Sequence, residues 1–269
     1  MAVQFSTRAA AAPNPQQAWR ELIDSVYFQL QVDFRQPETF DGQLECWQLG
    51  ALSSSYLRSD PAQYTRQRNH LAHSRSDEAF LVTVPVRSEV RFRQLGREVS
   101  CQRGDFLLEL SHEPYQFDYC EANELWVLKI PHTLMKQYVH HPERYGALSF
   151  DGQQGLGHLF SQYLRLTGEQ LRQQAQDHSS WDWIGMQLLS LFSHVAHQDE
   201  RVLHSSESSV RSAHLRRIED YARKHLGQPQ LTPDEVAQAC RISTRYLHDL
   251  FQDTGTTFGR WLTVQRLQS

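Results

Sequence analysis

The sequence is poor in cysteine. Its four residues, Cys46, Cys101, Cys120 and Cys240, are scattered without the close pairing of a metal or redox motif, which fits reduced, buried thiols in a cytoplasmic protein rather than a disulfide-stapled scaffold. It also lacks any apolar run near the roughly 18 residues that a membrane span requires. The opening MAVQFSTRAAAAPNPQQAW carries four alanines broken by Pro13, too little for a secretory core, so the expected location is the cytoplasm. No Gly-x-Ser-x-Gly, phosphate loop or paired catalytic Cys and His occurs, so no catalytic residue or cofactor is expected. What is present is ordinary globular composition, 39% hydrophobic and 22% charged, over 269 residues, enough for two cores. Charge is uneven. From Arg211 onward 9 basic residues face 6 acidic ones, a surplus of +3, whereas the preceding chain holds 18 basic and 25 acidic residues, −7. A nucleic-acid surface, if there is one, belongs at the C-terminus.

Ser212 to Leu267 carries the sharpest pattern. Thr232-Pro233-Asp234-Glu235 offers an N-cap hydroxyl, a proline at N1 and a glutamate at N3, the reciprocal arrangement that starts a helix. Val236, Ala237 and Cys240 supply its apolar face. Arg241 and Ile242 alone separate it from Ser243, a second N-cap candidate, so two helices must cross steeply as in a helix-turn-helix. In the second helix Tyr246, Leu247, Leu250 and Phe251 take core spacing, and Asp253-Thr254-Gly255 suits a left-handed C-cap. The opposite face holds Thr244, Arg245, His248 and Asp249.

The run LTPDEVAQACRISTRYLHDLFQDTGTTFGRWLTVQRLQ resembles the first half of the DNA-binding module of AraC/XylS-type transcription regulators, with Leu250-Phe251, Gly255, Phe258 and Arg266-Leu267 in the family's places. The resemblance implies base reading by Arg245, His248 and Asp249, with Ser243 and Thr244 near phosphates. Arg241 stands where the family often has glycine; if the backbone is left-handed there, the arginine costs roughly 1 kcal/mol. Asp249 can accept from a cytosine amino group but repels phosphate. Family members continue for about 40 residues into a second unit one helical turn along the DNA. The DNA-binding domain is therefore expected to be incomplete, and two readings stay open: a working regulator, or a truncated one that dimerises or binds effector without productive DNA binding.

Upstream, Asn14-Pro15 caps a helix whose stripe is Trp19, Leu22, Ile23, Val26, Tyr27 and Leu30. From about 40 to 131 the period becomes two, as in Glu45/Trp47/Leu49, Phe80/Val82/Val84, Phe106/Leu108/Leu110 and Trp126/Leu128/Ile130. Turns fall at Leu95-Gly96-Arg97 and Arg103-Gly104-Asp105, and about seven short strands imply a sandwich or barrel. Gln94-Leu95-Gly96-Arg97-Glu98, Gly104-Asp105-Phe106 and His112-Glu113-Pro114-Tyr115-Gln116-Phe117 resemble the sensor domain of the same family, in the branch answering aromatic acids, amines or aldehydes. The resemblance implies a cupin-like barrel, homodimerisation, activation of transcription, and a small effector, DNA and RNA polymerase as partners.

Two further stripes, Leu156/Leu159/Phe160/Tyr163/Leu164 and Ile184/Leu188/Leu191/Phe192/Val195, form a helical pair at about 153–203, with the polar stretch Gln170 to Ser180 between them. The pair covers the barrel, and in the relatives it also mediates the dimer. His204 to Ser209 reads as a linker (204–212) between a sensor domain, 1–203, and a DNA-binding domain, 213–269. For the effector, Tyr64, Arg66 and Arg68 share a strand face that Trp47 can flank, and an arginine fork over an aromatic wall suits an aromatic carboxylate. The same alternation, like that of Arg91 and Arg93, equally describes a solvated face, and that reading has the advantage. A metal-dependent barrel enzyme is the remaining rival. His70 and His73 face opposite sides of a strand, His140-His141 and His112-Glu113 are adjacent, and His194 and His197 lie on a helix, so no metal site is expected. The fold class expected is α+β, a cupin-like β-barrel with flanking helices followed by an all-α, incomplete helix-turn-helix domain.

Overall fold

The computed structural model describes residues 3–6, 14–71, 78–173, 181–199, 206–228, 231–252, 254 and 256–267. His73, Asp253, Gly255 and His204-Ser205 lie outside them, as do residues 174–180 of the helix connection. The chain divides into two compact units, Met1–Gln94 with Glu98–Ala196, and Leu95–Arg97 with His197–Ser269.

The first unit runs β1 (Val3–Ser6), α1 (Pro15–Val26), β2 (Gln31–Phe34), β3 (Gly42–Leu49), β4 (Leu52–Ser59), β5 (Ala62–Arg66), α2 (Arg68–Leu71), β6 (Ala79–Pro85), β7 (Val90–Gln94), β8 (Arg97–Cys101), β9 (Phe106–Leu110), β10 (Tyr115–Asp118), β11 (Asn123–Pro131), α3 (His132–Tyr138), β12 (Ser149–Phe150), α4 (Gly155–Gln173) and α5 (Trp181–Gln198). The strands make two antiparallel sheets of cupin-like architecture, β1-β3-β4-β11-β6-β9-β12 and β2-β5-β10-β7-β8. Asn14 caps α1, accepting from the Gln17 amide at 3.0 Å, but the helix ends at Val26 and leaves Leu30 beyond it, still buried. The β7–β8 hairpin turns on Leu95 and Gly96, both at positive φ, the geometry of a two-residue turn matched to strand twist.

Strands β6, β9 and β11 are buried on both faces. Leu81, Leu107, Leu125 and Val127 join the core between the sheets. Their sequence neighbours face the other way. Phe106 stacks on Phe150 at 5.1 Å and meets Phe160 of α4 and Phe192 of α5 at 4.8 and 6.4 Å. A Cβ at Gly168 would fall 2.2 Å from the Trp126 ring, so only glycine lets α4 approach β11 so closely. The apolar alternation seen in the sequence, Phe106/Leu108/Leu110 and Trp126/Leu128/Ile130, therefore lies against the helices, and the residues between them line the interior.

The second unit comprises α6 (Ser206–Lys224), α7 (Pro233–Ala239), α8 (Thr244–Gln252) and α9 (Phe258–Leu267) around a core that includes Ile218, Val236, Leu247, Phe251, Phe258 and Trp261. The segment expected to be a linker, 204–212, is instead helical from Ser206, where α6 begins. The capping box is complete: the Glu235 amide donates to Thr232 Oγ1 at 3.2 Å and the Thr232 amide to Glu235 Oε2 at 2.9 Å. At the other end of α7 the Ile242 amide reaches Ala237 O and the Arg241 amide reaches Gln238 O, each at 3.0 Å, with Arg241 at φ 54°. This is a Schellman motif whose left-handed position holds arginine instead of glycine.

Candidate functional site

The interior of the first unit contains a cavity of about 50 Å³ between the sheets, closed on one side by α1. Ile23, Leu30, Leu57, Leu81, Leu125 and Val127 give it apolar walls, Tyr27, Tyr64, Tyr115 and Phe117 aromatic ones, and Thr83 and Glu109 complete the lining. Pairing of β6 with β9 sets Leu81 opposite Glu109 and Thr83 opposite Leu107, so Thr83 and Glu109 are diagonal neighbours on the inner face. Thr83 donates a hydrogen bond to the Glu109 carboxyl. Burial raises that carboxyl from 4.5 to about 7, the Thr83 bond opposing the rise only in part. No Lys, Arg or His is among the lining residues.

Phenol groups surround the carboxyl, and burial raises those of Tyr27, Tyr64 and Tyr115. Two of them are already engaged. Tyr27 OH lies 2.6 Å from Ser55 Oγ, and Tyr64 OH takes a hydrogen bond from Trp19 Nε1 at 3.2 Å and meets Tyr119 OH at 3.2 Å.

Of the effector residues expected from sequence, Tyr64 alone lines the cavity. Trp47 is buried on the other face of its sheet, 6.1 Å from Trp126. Arg66 is buried as well, but it is a structural clamp: its Nε donates to Ser111 O at 3.1 Å, its Nη1 to Gln29 O at 2.7 Å, and its guanidinium covers the Phe28 ring at 4.4 Å. Arg68 does not share the strand at all, since β5 ends at Arg66 and Arg68 opens α2, exposed. The arginine fork does not form. Glu109 was missed because the acid sits within Phe-Leu-Leu-Glu-Leu, whose alternation drew attention to its neighbours. A carboxyl inside so apolar a run was the available signal.

One group of metal-capable side chains occurs among the described residues. Glu78, His112 and His132 bring a ligand atom each within 4.8 Å of one another. It is assembled from the start of β6, the β9–β10 turn and α3, a proximity no sequence spacing announces. His132 also stacks on Phe80 and faces Glu143 at 3.6 Å.

In the second unit Arg245, His248 and Asp249 project together from α8, exposed and without hydrogen bonds or ion pairs among the described residues. Ser243 and Thr244 are spent differently. Ser243 Oγ caps α8 by accepting from the Tyr246 amide at 3.1 Å, and Thr244 Oγ1 donates to Asp234 at 2.5 Å, tying the two helices together.

Among the described residues no helix is long and apolar enough to cross a membrane. Residues 19–195 match the AraC-binding-like domain. The chain is 24% identical over 274 residues to the transcriptional activator NphR of Rhodococcus sp., covering 99% of this chain and 79% of that one. It is 25% identical over 230 residues to an uncharacterized protein in the nit 5′ region of Bacillus sp. strain OxB-1, covering 82% of this chain and 85% of that one. The crystal structure of the AraC-like transcriptional activator CuxR superposes with a TM-score of 0.60 at 17% identity, covering 99% of this chain and 94% of that one, a likeness of fold. With its two-sheet sensor unit matched over most of its length, this chain belongs to the AraC family of regulators that carry the AraC-binding-like domain.

Proposed function

We propose that the chain is a cytoplasmic, effector-responsive activator that reads DNA through the α7-turn-α8 unit as a helix-turn-helix and takes its effector in the barrel cavity. The observation that carries the reading is the occurrence, in one chain, of a lined interior cavity and of a capped helix pair with Arg245, His248 and Asp249 left unengaged on α8. Arg245 and His248 then face base edges, and Asp249 restricts the choice at its position. Ser243 and Thr244 act by holding α8 in place. A second copy of the chain docks on the apolar face of α4 and α5, where Leu159 and Trp183 are 54% and 63% exposed. No catalytic role is assigned, in keeping with relatives described as activators.

The test is binding to DNA upstream of the gene at two salt concentrations. Specific, salt-sensitive binding that Arg245→Ala weakens by about 1–3 kcal/mol supports the reading. Binding that ignores Arg245→Ala, or no specific binding, overturns the assignment of α8.

A further inference from the structure

We propose that the barrel cavity selects a small amine, bound as its ammonium ion, through Glu109, and excludes the carboxylate of the same size and shape. The inference rests on the reading of the cavity as the effector site and names the chemistry that site accepts.

Geometry comes first. Glu109 projects from β9 into a space otherwise lined by aliphatic and aromatic side chains and by the Thr83 hydroxyl. Thr83 is its single hydrogen-bond partner among the described residues, so most of the carboxyl's accepting capacity is unused there. The nearby cations are committed elsewhere. Lys129 Nζ donates to Val26 O and Tyr27 O at 3.2 and 2.8 Å, and Arg66 is held by backbone carbonyls. A leucine in place of Glu109 would extend the wall without a desolvation cost, so the acid is a liability unless something joins it in the cavity.

The missing partner must donate hydrogen bonds and carry positive charge. An ammonium group supplies three donors, enough to meet the carboxylate and the Tyr115 hydroxyl, while its alkyl chain lies on Leu81, Leu125 and Val127. Aromatic faces at Tyr115 and Phe117 add cation–π attraction. A carboxylate guest would instead place two anions together in a site without a compensating cation, and one of them would have to take up a proton. Size gives a second restriction. The space is about 50 Å³, well below the roughly 150 Å³ of an apolar cavity that admits benzene, so the form described here suits a short alkylamine and an aromatic amine requires the wall to move.

The groups that interact with Glu109 include Tyr27 after α1, Thr83 on β6, the Cys101 thiol at the end of β8 and Tyr115 on β10, and burial keeps both phenols and the thiol protonated throughout the neutral range. Glu109 is thus the group that loses a proton when a cation arrives. Calorimetric titration of the full chain at pH 7 with methylamine, methanol and formate, small enough for the space, reads both consequences. The expected result is methylamine binding at least about tenfold tighter than formate, with about half a proton released per amine bound, since a carboxyl near 7 is half protonated at this pH, measured in buffers of differing ionisation enthalpy. Glu109→Gln, which keeps the volume, should abolish the proton release and weaken methylamine about tenfold. Thr83→Val removes the bond that lowers the carboxyl, so it should raise the proton release while the amine stays preferred over formate. Equal or tighter binding of formate, no proton release, undiminished amine binding by Glu109→Gln, or no binding of any probe each overturns the proposal. Amine binding that passes these tests but leaves DNA affinity and transcription unchanged would sustain the Glu109 site and remove the reading of the cavity as the effector switch.

Discussion

Arg172 of α4 lays its guanidinium over the Tyr56 ring at 4.3 Å and holds Glu45 of β3 through two nitrogens, Nε at 3.1 Å and Nη2 at 3.0 Å, both on the same carboxylate oxygen. The Glu45 side chain is 4% exposed and that of Arg172 38%, so the acid is the partner that cannot recover water when the pair is broken. Arg172→Ala should lower the stability of the first unit by roughly 1–3 kcal/mol, the cost of a lost charged hydrogen bond and an abandoned buried acid. Urea unfolding followed by tryptophan fluorescence measures it, and Arg172→Ala combined with Glu45→Gln should recover part of the loss. A single variant as stable as the parent would mean that Gln43, 2.9 Å from the same oxygen, suffices.

Arg241 occupies the left-handed position that ends α7, at φ 54°. Glycine tolerates that conformation without a Cβ clash, so Arg241→Gly should stabilise the second unit by about 1 kcal/mol despite the greater freedom of the unfolded chain. Loss of stability on this change would show that the arginine side chain contributes more than its backbone conformation costs.

Glu109 gives the fold a pH dependence of unusual sign for an acid. Its carboxyl is raised in the folded state from 4.5 to about 7, so the folded protein holds the proton after the unfolded chain has released it. Its contribution is most favourable below about pH 4.5, declines as pH rises towards 7 and is flat above, a total change of about 3 kcal/mol. Glu109→Gln should remove this slope and unfold at a higher temperature than the parent at pH 8. Parallel stability curves for the two proteins between pH 5 and pH 8 would place the titration elsewhere.

Trp183 lines a groove on the outer face of α4 and α5 with Leu156, Leu159, Tyr163 and Leu191. If a second copy covers this groove, Trp183→Glu should shift the sedimentation coefficient to that of the monomer and change the melting temperature of the dilute protein little. A variant that sediments as the parent dimer would move the interface off these helices.

Signals confined to a few consecutive residues were legible in the sequence. Asn14-Pro15 and Thr232-Pro233-Asp234-Glu235 each start the helix they announce, because a cap is satisfied within one turn. Leu247, Leu250 and Phe251 are buried and Arg245, His248 and Asp249 exposed, as helical spacing requires. Facing between elements was less legible. Alternation marks the strands, but when helices bury one side and a second sheet the other it cannot say which side is the interior. Hence Arg66 and Arg68 stand out in the sequence, while Glu109, on the inner face, does not. The serine-rich stretch from Ser206 reads as a linker by composition, yet Leu215, Ile218 and Ala222 anchor the same helix downstream, and extending an existing helix is easier than starting one.

Strands buried on both sides make a partition one residue thick. On β9, Glu109 faces the cavity while Leu108 and Leu110 press on the opposite layer, and successive side chains on a strand are only about 3.4 Å apart along the chain. The partition has no slack to absorb a guest, because the layer beyond it is close-packed and cavities of its own are costly to open. A molecule that settles against Glu109 therefore leans on the same membrane-like wall that carries α4 and α5, as a fingertip on a drumhead is felt by whatever rests on its far side.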